Sequence, residues 1–308
     1  MSLAFVFPGQ GSQSIGMLKE LAEAEPIVTD IFKLASDALG YDLWDITQQG
    51  PLEKLNSTDI TQPALLAAGV ACWKVWQQKG GSNPVLLAGH SLGEYTALVC
   101  AGVLDFADAI KLVEVRGQFM QQAVPEGQGG MAAILGLEDA KVVEACQQAA
   151  ESDVLQAVNY NSPGQVVVAG SKAAIERILI VAKEMGAKRA LPLPVSVPSH
   201  CDLMKPAAEQ LAEKLKSVTF NTASIPVINN VDVVAEFEAD KIRDALVRQL
   251  YNPVRWVEII QKMAEDGVDQ LIECGPGRVL VGLNKRIDKS MSAEAVFDQA
   301  SFDKALAL

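Results

Sequence analysis

The stretch Gly89-His90-Ser91-Leu92-Gly93 constrains this chain more than any other. The apolar run Val85-Leu86-Leu87-Ala88 precedes it, and the helix-forming run Glu94-Tyr95-Thr96-Ala97-Leu98-Val99-Cys100 follows. The local order is therefore strand, sharp turn, helix, with G-x-S-x-G at the turn. A serine at such a turn is pushed outward, and glycines two places before and after it let neighbouring backbone pass without a Cβ clash. The serine also sits at a helix N-terminus, where free N–H groups and the dipole favour developing negative charge. Two readings fit these residues: a nucleophilic Ser91, or a glycine-rich turn with a capping serine. The strand-to-helix setting favours the nucleophile.

The rest of the chain repeats the alternation of apolar strand and helix. Leu3-Ala4-Phe5-Val6-Phe7 has no polar alternation, as in a buried parallel strand, and ends at Pro8-Gly9-Gln10-Gly11-Ser12-Gln13. Residues 17–39 read as helix with Gly40 as stop, 41–58 as irregular, and a helix runs from about Asp59 to Gln78. Asp105 is placed to N-cap a helix reaching about Gln122. A loop at 125–130 with hinge-like composition follows. Then come strand 131–135, helix 137–150, strand 154–158, a turn at 159–164, strand 165–169, helix 172–185 capped by Ser171, and strand 188–195. That β-α-β-β-α-β order is the ferredoxin-like split unit, expected as an insertion over 127–196. Beyond it the pattern predicts helix 204–216, strand 225–228, helix 239–250, a helix after Pro253, strand 270–273 ending at Gly275-Pro276-Gly277, and helix 279–286. Strands so arranged imply a parallel sheet covered on both faces, with ligands beyond the carboxyl ends of its strands. Gln10, Ser91 and the 275–277 loop all follow strands, so one cleft is expected between them.

A nucleophilic serine needs a base. The chain has only two histidines. His90 adjoins Ser91 and is expected to point away from it, which leaves His200 in Val197-Pro198-Ser199-His200-Cys201. No acidic third member is evident. Asp202 is close in sequence but poorly aimed, and a backbone carbonyl is able to accept the imidazole N–H instead. An oxyanion needs two N–H donors. The amide of Leu92 and the glycine-flanked amide of Gln10 are the candidates. Arg116 falls on the same helical face as Ile110, Val113 and Met120. A charge in an apolar stripe is costly without a partner. Either it snorkels out or pairs with a carboxylate such as Glu94, or it binds an anionic ligand.

The net charge of −12 argues against nonspecific binding to nucleic acid or anionic membrane. No run approaches the length of a membrane span, and the N-terminus lacks the pattern of a secretory leader. Cys72, Cys100, Cys146, Cys201 and Cys274 show no CxxC spacing and are odd in number. They read as reduced thiols of a cytoplasmic protein rather than metal ligands. No metal is expected.

The chain resembles the malonyl-CoA:acyl carrier protein transacylases and, more widely, the acyltransferase domains of fatty-acid and polyketide synthases. The resemblance spans nearly the full length. It rests on FVFPGQGSQ at 5–13, TQPAL at 61–65, GHSLGEYTAL at 89–98 and Arg116, and continues in GGMAAILG at 129–136, NYNSPGQVVVAG at 159–170, VPSHC at 197–201 and ECGPGRVL at 273–280. It implies an α/β fold: an α/β-hydrolase-like parallel-sheet large domain (1–126 and 197–308) with an inserted ferredoxin-like subdomain (127–196).

The resemblance also implies roles. Ser91 would take the malonyl group from malonyl-CoA as an ester and pass it to the phosphopantetheine thiol of acyl carrier protein, with no cofactor of the enzyme's own. His200 would be base and then acid, oriented by the main-chain carbonyl of Gln249. Gln10 and Leu92 would form the oxyanion hole, and Arg116 would hold the malonyl carboxylate. Gln62 and Met120 match pocket positions, and Asn159 and Asn161 would line the cleft from the small subdomain. Ser199 fits the bacterial fatty-acid type, since polyketide acyltransferases usually carry a bulkier residue before the histidine. Carrier proteins of such systems are acidic, as this chain is, so docking requires a local basic patch. The candidates are Lys188, Arg189, Arg278, Lys285 and Arg286. A monomer is expected. Rival readings are a serine thioesterase or esterase using the same Ser-His pair, an acyltransferase of a polyketide or polyunsaturated fatty-acid pathway, and a noncatalytic acyl-binding protein.

Overall fold

A computed structural model describes residues 2–195 and 197–307; the expected subdomain boundary at residue 196 lies outside them. Its strands, in chain order, are β1 (Leu3–Phe7), β2 (Leu86–Gly89), β3 (Gly129–Leu135), β4 (Leu155–Ser162) and β5 (Gln165–Ser171). They continue with β6 (Arg189–Pro192), β7 (Val227–Ile228), β8 (Gln270–Cys274) and β9 (Ser292–Val296).

The first sheet has the order β7-β2-β1-β8-β9, with every neighbouring pair parallel. β1 is buried along its whole length, which explains its unbroken apolar sequence. Helix Thr58–Gln78 packs on one face, with Trp73 and Trp76 meeting Phe5 edge-on at ring-centroid distances of 5.2 Å. This helix is buried on nearly all sides, because helices Ile27–Leu39 and Phe106–Ala123 lie against it in turn. Helices Trp256–Glu265 and Val279–Ile287 cover the opposite face through Ile260, Met263 and Leu280.

The second sheet has the order β4-β5-β3-β6, with antiparallel pairs throughout. With helices Asp139–Ala150 and Lys172–Glu184 it forms the βαββαβ unit expected from the sequence, occupying residues 129–192. Its β4 edge is tied to the rest of the molecule. Tyr160 N donates to Val254 O (3.0 Å) and Val254 N to Val158 O (2.8 Å).

Several expectations need correction. The segment 17–39 is two helices, Lys19–Ala24 and Ile27–Leu39, because Pro26 cannot continue the first and starts the second. Residues 41–58 are not irregular. Asp42 caps helix Leu43–Gln49 through Asp45 N, and Leu52–Leu55 adds one more turn. The polar run 159–164 is not all turn: β4 continues through bulges to Ser162, and only Pro163-Gly164 reverses the chain. The strand expected over 188–195 is confined to β6. The sequence pattern gives no sign of β9 or of helix Gln299–Leu306, which close the chain. That helix starts in a capping box between Asp298 and Ser301.

Candidate active site

The carboxyl ends of β1 and β2 meet at Ser91. Helix Gly93–Cys100 leaves the turn so close to β1 that a Cβ on Gly93 would lie 2.1 Å from Phe7 O. A Cβ on Gly9 would lie 2.5 Å from His90 O, so glycine there lets the Gln10 loop close over the turn. Ser91 has φ +52°, a left-handed conformation that a serine adopts only under local constraint.

Ser91 Oγ lies 2.8 Å from His200 Nε2. His200 Nδ1 lies 2.7 Å from the main-chain carbonyl of Gln249. A carbonyl only accepts, so Nδ1 carries the proton and the Nε2 lone pair faces the serine hydroxyl. Burial, and after it the nearby Arg116 charge, push the His200 pKa down to about 3. The imidazole is therefore neutral and able to take the Ser91 proton. Asp202 takes no part; it pairs with Lys205 at 3.0 Å.

Arg116 is 1% exposed. Its Nη1 donates to Gln62 Oε1 (2.8 Å), and its Nη2 donates to Gln249 Oε1 (2.9 Å) and approaches Ser91 Oγ (3.5 Å). Its guanidinium carbon stands 5.3 Å from the centre of the Tyr95 ring. Nε has no partner, and among the described residues no carboxylate pairs with this cation. Glu94 reaches it only through Gln249, whose Nε2 donates to Glu94 Oε2 at 2.8 Å. Burial pushes the Glu94 carboxyl up to about 7, against the pull of the Gln249 amide, the Asn230 N–H and Arg116.

These groups open on a cavity of about 110 Å³. Of the expected site residues, Ser91, His200, Gln10, Leu92 and Arg116 line it, as do Gln62, Met120, Asn159 and Ser199. Gln62 also contacts Met120 Sδ through Nε2 at 3.5 Å. Gln249 stands behind the cavity, fully buried. Asn161 does not line it; its Oδ1 accepts from His90 Nε2 at 2.8 Å, tying the small sheet to the turn. His90 also reaches the cavity wall rather than pointing wholly away, but its ring is engaged by Asn161 and packed against Trp256. The 275–277 loop packs beside Pro8 and Ser12 and does not join the cleft. Among described groups, the amides of Gln10 and Leu92 donate to no protein acceptor.

The basic candidates are all exposed. Arg286 Nη1 donates to Gln165 Oε1 (2.7 Å), and Gln165, Leu135 and Arg189 stand opposite one another across β5, β3 and β6. Arg286, Arg189 and Lys188 thus gather at one end of the small sheet, with Lys285 adjoining Arg286. Arg278 instead pairs with Glu294 at 3.3 Å. Sequence reasoning missed Asn230, which bonds both sides of the Ser91 turn. The sole hint was an asparagine pair just past a predicted strand.

The family model for the acyl transferase domain matches residues 4–298. The malonyl CoA-acyl carrier protein transacylase of Escherichia coli K12 is 62% identical over 305 residues, 99% of each chain. That of Haemophilus influenzae is 64% identical over 301 residues, 97% of this chain and 96% of its own. Among solved structures, an acyl carrier protein S-malonyltransferase from Vibrio cholerae matches with a TM-score of 0.96 at 62% identity, covering 99% of both chains. A malonyl-transacylase solved with its type II PKS acyl-carrier protein matches with a TM-score of 0.99 at 60% identity, over 100% of this chain and 99% of that one. With motifs, fold and site in agreement, the chain belongs to the acyl transferase domain family, alongside the malonyl CoA-acyl carrier protein transacylases.

Proposed function

We propose that this chain transfers a malonyl group from malonyl-CoA to the phosphopantetheine thiol of acyl carrier protein, in fatty-acid biosynthesis, through an ester on Ser91. The observation that carries the reading is Arg116: a buried cation held only by neutral groups, with a free Nε, 3.5 Å from the nucleophilic oxygen. An acyl group bearing a carboxylate at its far end satisfies that cation while its thioester carbon meets Ser91 Oγ. A hydrolase of neutral acyl groups has no use for it.

Ser91 Oγ attacks the thioester carbon and its proton passes to His200 Nε2. The carbonyl oxygen becomes an oxyanion, held by the amides of Gln10 and Leu92. The intermediate collapses, the carbon–sulfur bond breaks, and the CoA thiolate takes the proton from His200. The carrier's thiol then gives its proton to His200 and attacks the ester, and Ser91 Oγ leaves, recovering the proton. Serine, imidazole and the two thiols account for every proton and electron pair, so the proposal includes no cofactor. Gln62, Met120, Asn159 and Ser199 shape the acyl cavity.

A larger polar cavity of about 460 Å³ shares Gln10, Val195 and Val197 with the acyl cavity and offers the side chains of Asn56, Ser57 and Gln121. It suits the amide-bearing arm that both thiols carry. The exposed basic group at the end of the small sheet suits an acidic carrier. One chain supplies the whole site, which supports a monomer, and the five free cysteines support a cytoplasmic setting. Initial rates at several fixed carrier concentrations test the scheme: it predicts parallel double-reciprocal lines, and converging lines contradict it. Comparing fatty-acid and polyketide holo carriers as acceptors assigns the pathway.

A further inference from the structure

The Ser91 turn is held by a side chain from the neighbouring strand's extension. β2 and β7 are parallel, with Leu87 opposite Val227 and Ala88 opposite Ile228. Two steps further, that register sets His90 opposite Asn230. In a parallel ladder a residue donates its N–H to the carbonyl before its opposite number and accepts the N–H of the residue after it. The main chain of Asn230 does neither. Its N–H goes to Glu94 Oε2 (2.9 Å) and its carbonyl accepts from Arg255 N (3.2 Å). The side chain does both: Nδ2 donates to Gly89 O (2.7 Å) and Oδ1 accepts from Ser91 N (2.8 Å). A primary amide has the donor and acceptor of a peptide group, so the sheet gains one more rung after its backbone pairing has ended.

That rung falls where the chain is under strain. Ser91 has a positive φ, and such a residue persists only where its surroundings over-determine it. Asn230 is 0% exposed. It is fixed in turn by Glu94, which also accepts from Gln249 Nε2, and Gln249 Nε2 reaches Ser91 O at 3.1 Å. Both main-chain groups of Ser91 are thereby tied to this buried amide network. Asn230 does not line the acyl cavity.

We propose that Asn230 is a positioning residue of the transfer reaction: its side-chain amide, spanning Gly89 O and Ser91 N, sets the turn that aims Ser91 Oγ at His200 Nε2. This rests on the reading of Ser91 as the nucleophile. Asn230 acts through Ser91 and touches neither the acyl group nor Arg116.

The test is rapid-quench formation of malonyl-Ser91 in wild type, Asn230→Ala and Asn230→Asp. Each rate constant is normalised to the final adduct stoichiometry, and folding is checked by a cooperative thermal melt. The expected result is full final stoichiometry and half-saturation by malonyl-CoA within about threefold of wild type, with acylation slowed about 100-fold, the effect of a displacement near 1 Å. Asn230→Asp is isosteric and keeps the protein testable if the alanine variant does not fold. Its ionised carboxylate has no donor for Gly89 O and sits near Glu94, the titratable group that faces it. Once protonated it regains that donor, so its rate relative to wild type should rise as pH falls from about 8 to about 5. Acylation at about pH 8 within about threefold of wild type in either folded variant, or an Asn230→Asp ratio flat between about pH 8 and about pH 5, overturns the proposal. A wild type that forms no adduct contradicts the reading of Ser91 and this inference with it.

Discussion

The main-chain carbonyl of Gln249 lies 2.7 Å from Nδ1 of His200, while the side chain of the same Gln249 lies 2.9 Å from Nη2 of Arg116. One residue thus meets the imidazole with its backbone and the cation with its amide. No acidic third member is needed, because the carbonyl already fixes the imidazole tautomer.

Gln249→Ala separates the two duties. The carbonyl remains, so the acid limb of the acylation pH profile should stay in place. Arg116 loses one partner, and Ser91 O and Glu94 Oε2 each lose a donor. Stability should fall by about 1–3 kcal/mol, the cost of one buried polar group left unsatisfied, because Arg116 Nη2 loses its close acceptor while Ser91 O keeps the Glu94 N–H and Glu94 Oε2 keeps the Asn230 N–H. Denaturant unfolding and a pH–rate profile on the variant check both statements; a shifted acid limb would show that the side chain orients His200.

Arg116→Ala should lower kcat/KM for malonyl transfer by about 10- to 100-fold, the worth of a charge-assisted hydrogen bond in a buried site. Transfer of an uncharged acyl group should improve relative to malonyl. Arg116→Lys should restore little, because a point charge does not reproduce a planar fork that bonds Gln62, Gln249 and a carboxylate together. Competition between malonyl-CoA and acetyl-CoA measures this directly, and an unchanged malonyl preference would refute the role.

Burial and the Arg116 charge lower the His200 pKa to about 3, so the folded imidazole holds its proton less tightly than the unfolded one, near 6.5. A base works in its neutral form. Acylation should therefore persist as pH falls through the ordinary histidine range, with its acid limb below about pH 5. The same shift contributes stability that is fully present above about pH 6.5 and is lost as pH falls from there toward 3. A pH–rate profile of single-turnover acylation decides the point, and a limb centred near 6.5 would contradict it.

Much of the site was legible because its parts are local. The turn at Ser91, the Asp105 cap on the Arg116 helix and the Ser171 cap each depend on a few adjacent residues. The choice of His200 followed from there being only two histidines. What escaped depends on tertiary neighbours. The run Asn159-Tyr160-Asn161-Ser162 has turn composition, yet it stays extended because Val254 pairs with its edge and His90 bonds Asn161. β9, Ser-Ala-Glu-Ala-Val, has few β-formers and is held by its pairing with β8. Asn230 could not be recognised without knowing that β7 lies beside β2. The Gln249 network with Glu94 likewise joins residues 155 positions apart.

The basic group beside Gln165 should matter for the second half-reaction alone. Arg189→Glu and Arg286→Glu should each raise the carrier-protein KM several-fold at low salt, with the effect fading as ionic strength approaches about 0.5 M. Acylation by malonyl-CoA should stay unchanged. Arg278→Glu should do less, since Arg278 already pairs with Glu294. If neither Arg189→Glu nor Arg286→Glu moves the carrier KM at low salt, the carrier docks elsewhere.

The most direct test is intact-mass spectrometry after mixing the protein with malonyl-CoA, beside a Ser91→Ala control. The account predicts a single malonyl adduct on the wild type, none on the variant, and its discharge on addition of holo carrier protein with malonyl appearing on the carrier. An adduct that water removes quickly, at a rate the carrier does not change, would contradict transfer and make this chain a thioesterase built on the same Ser91–His200 pair.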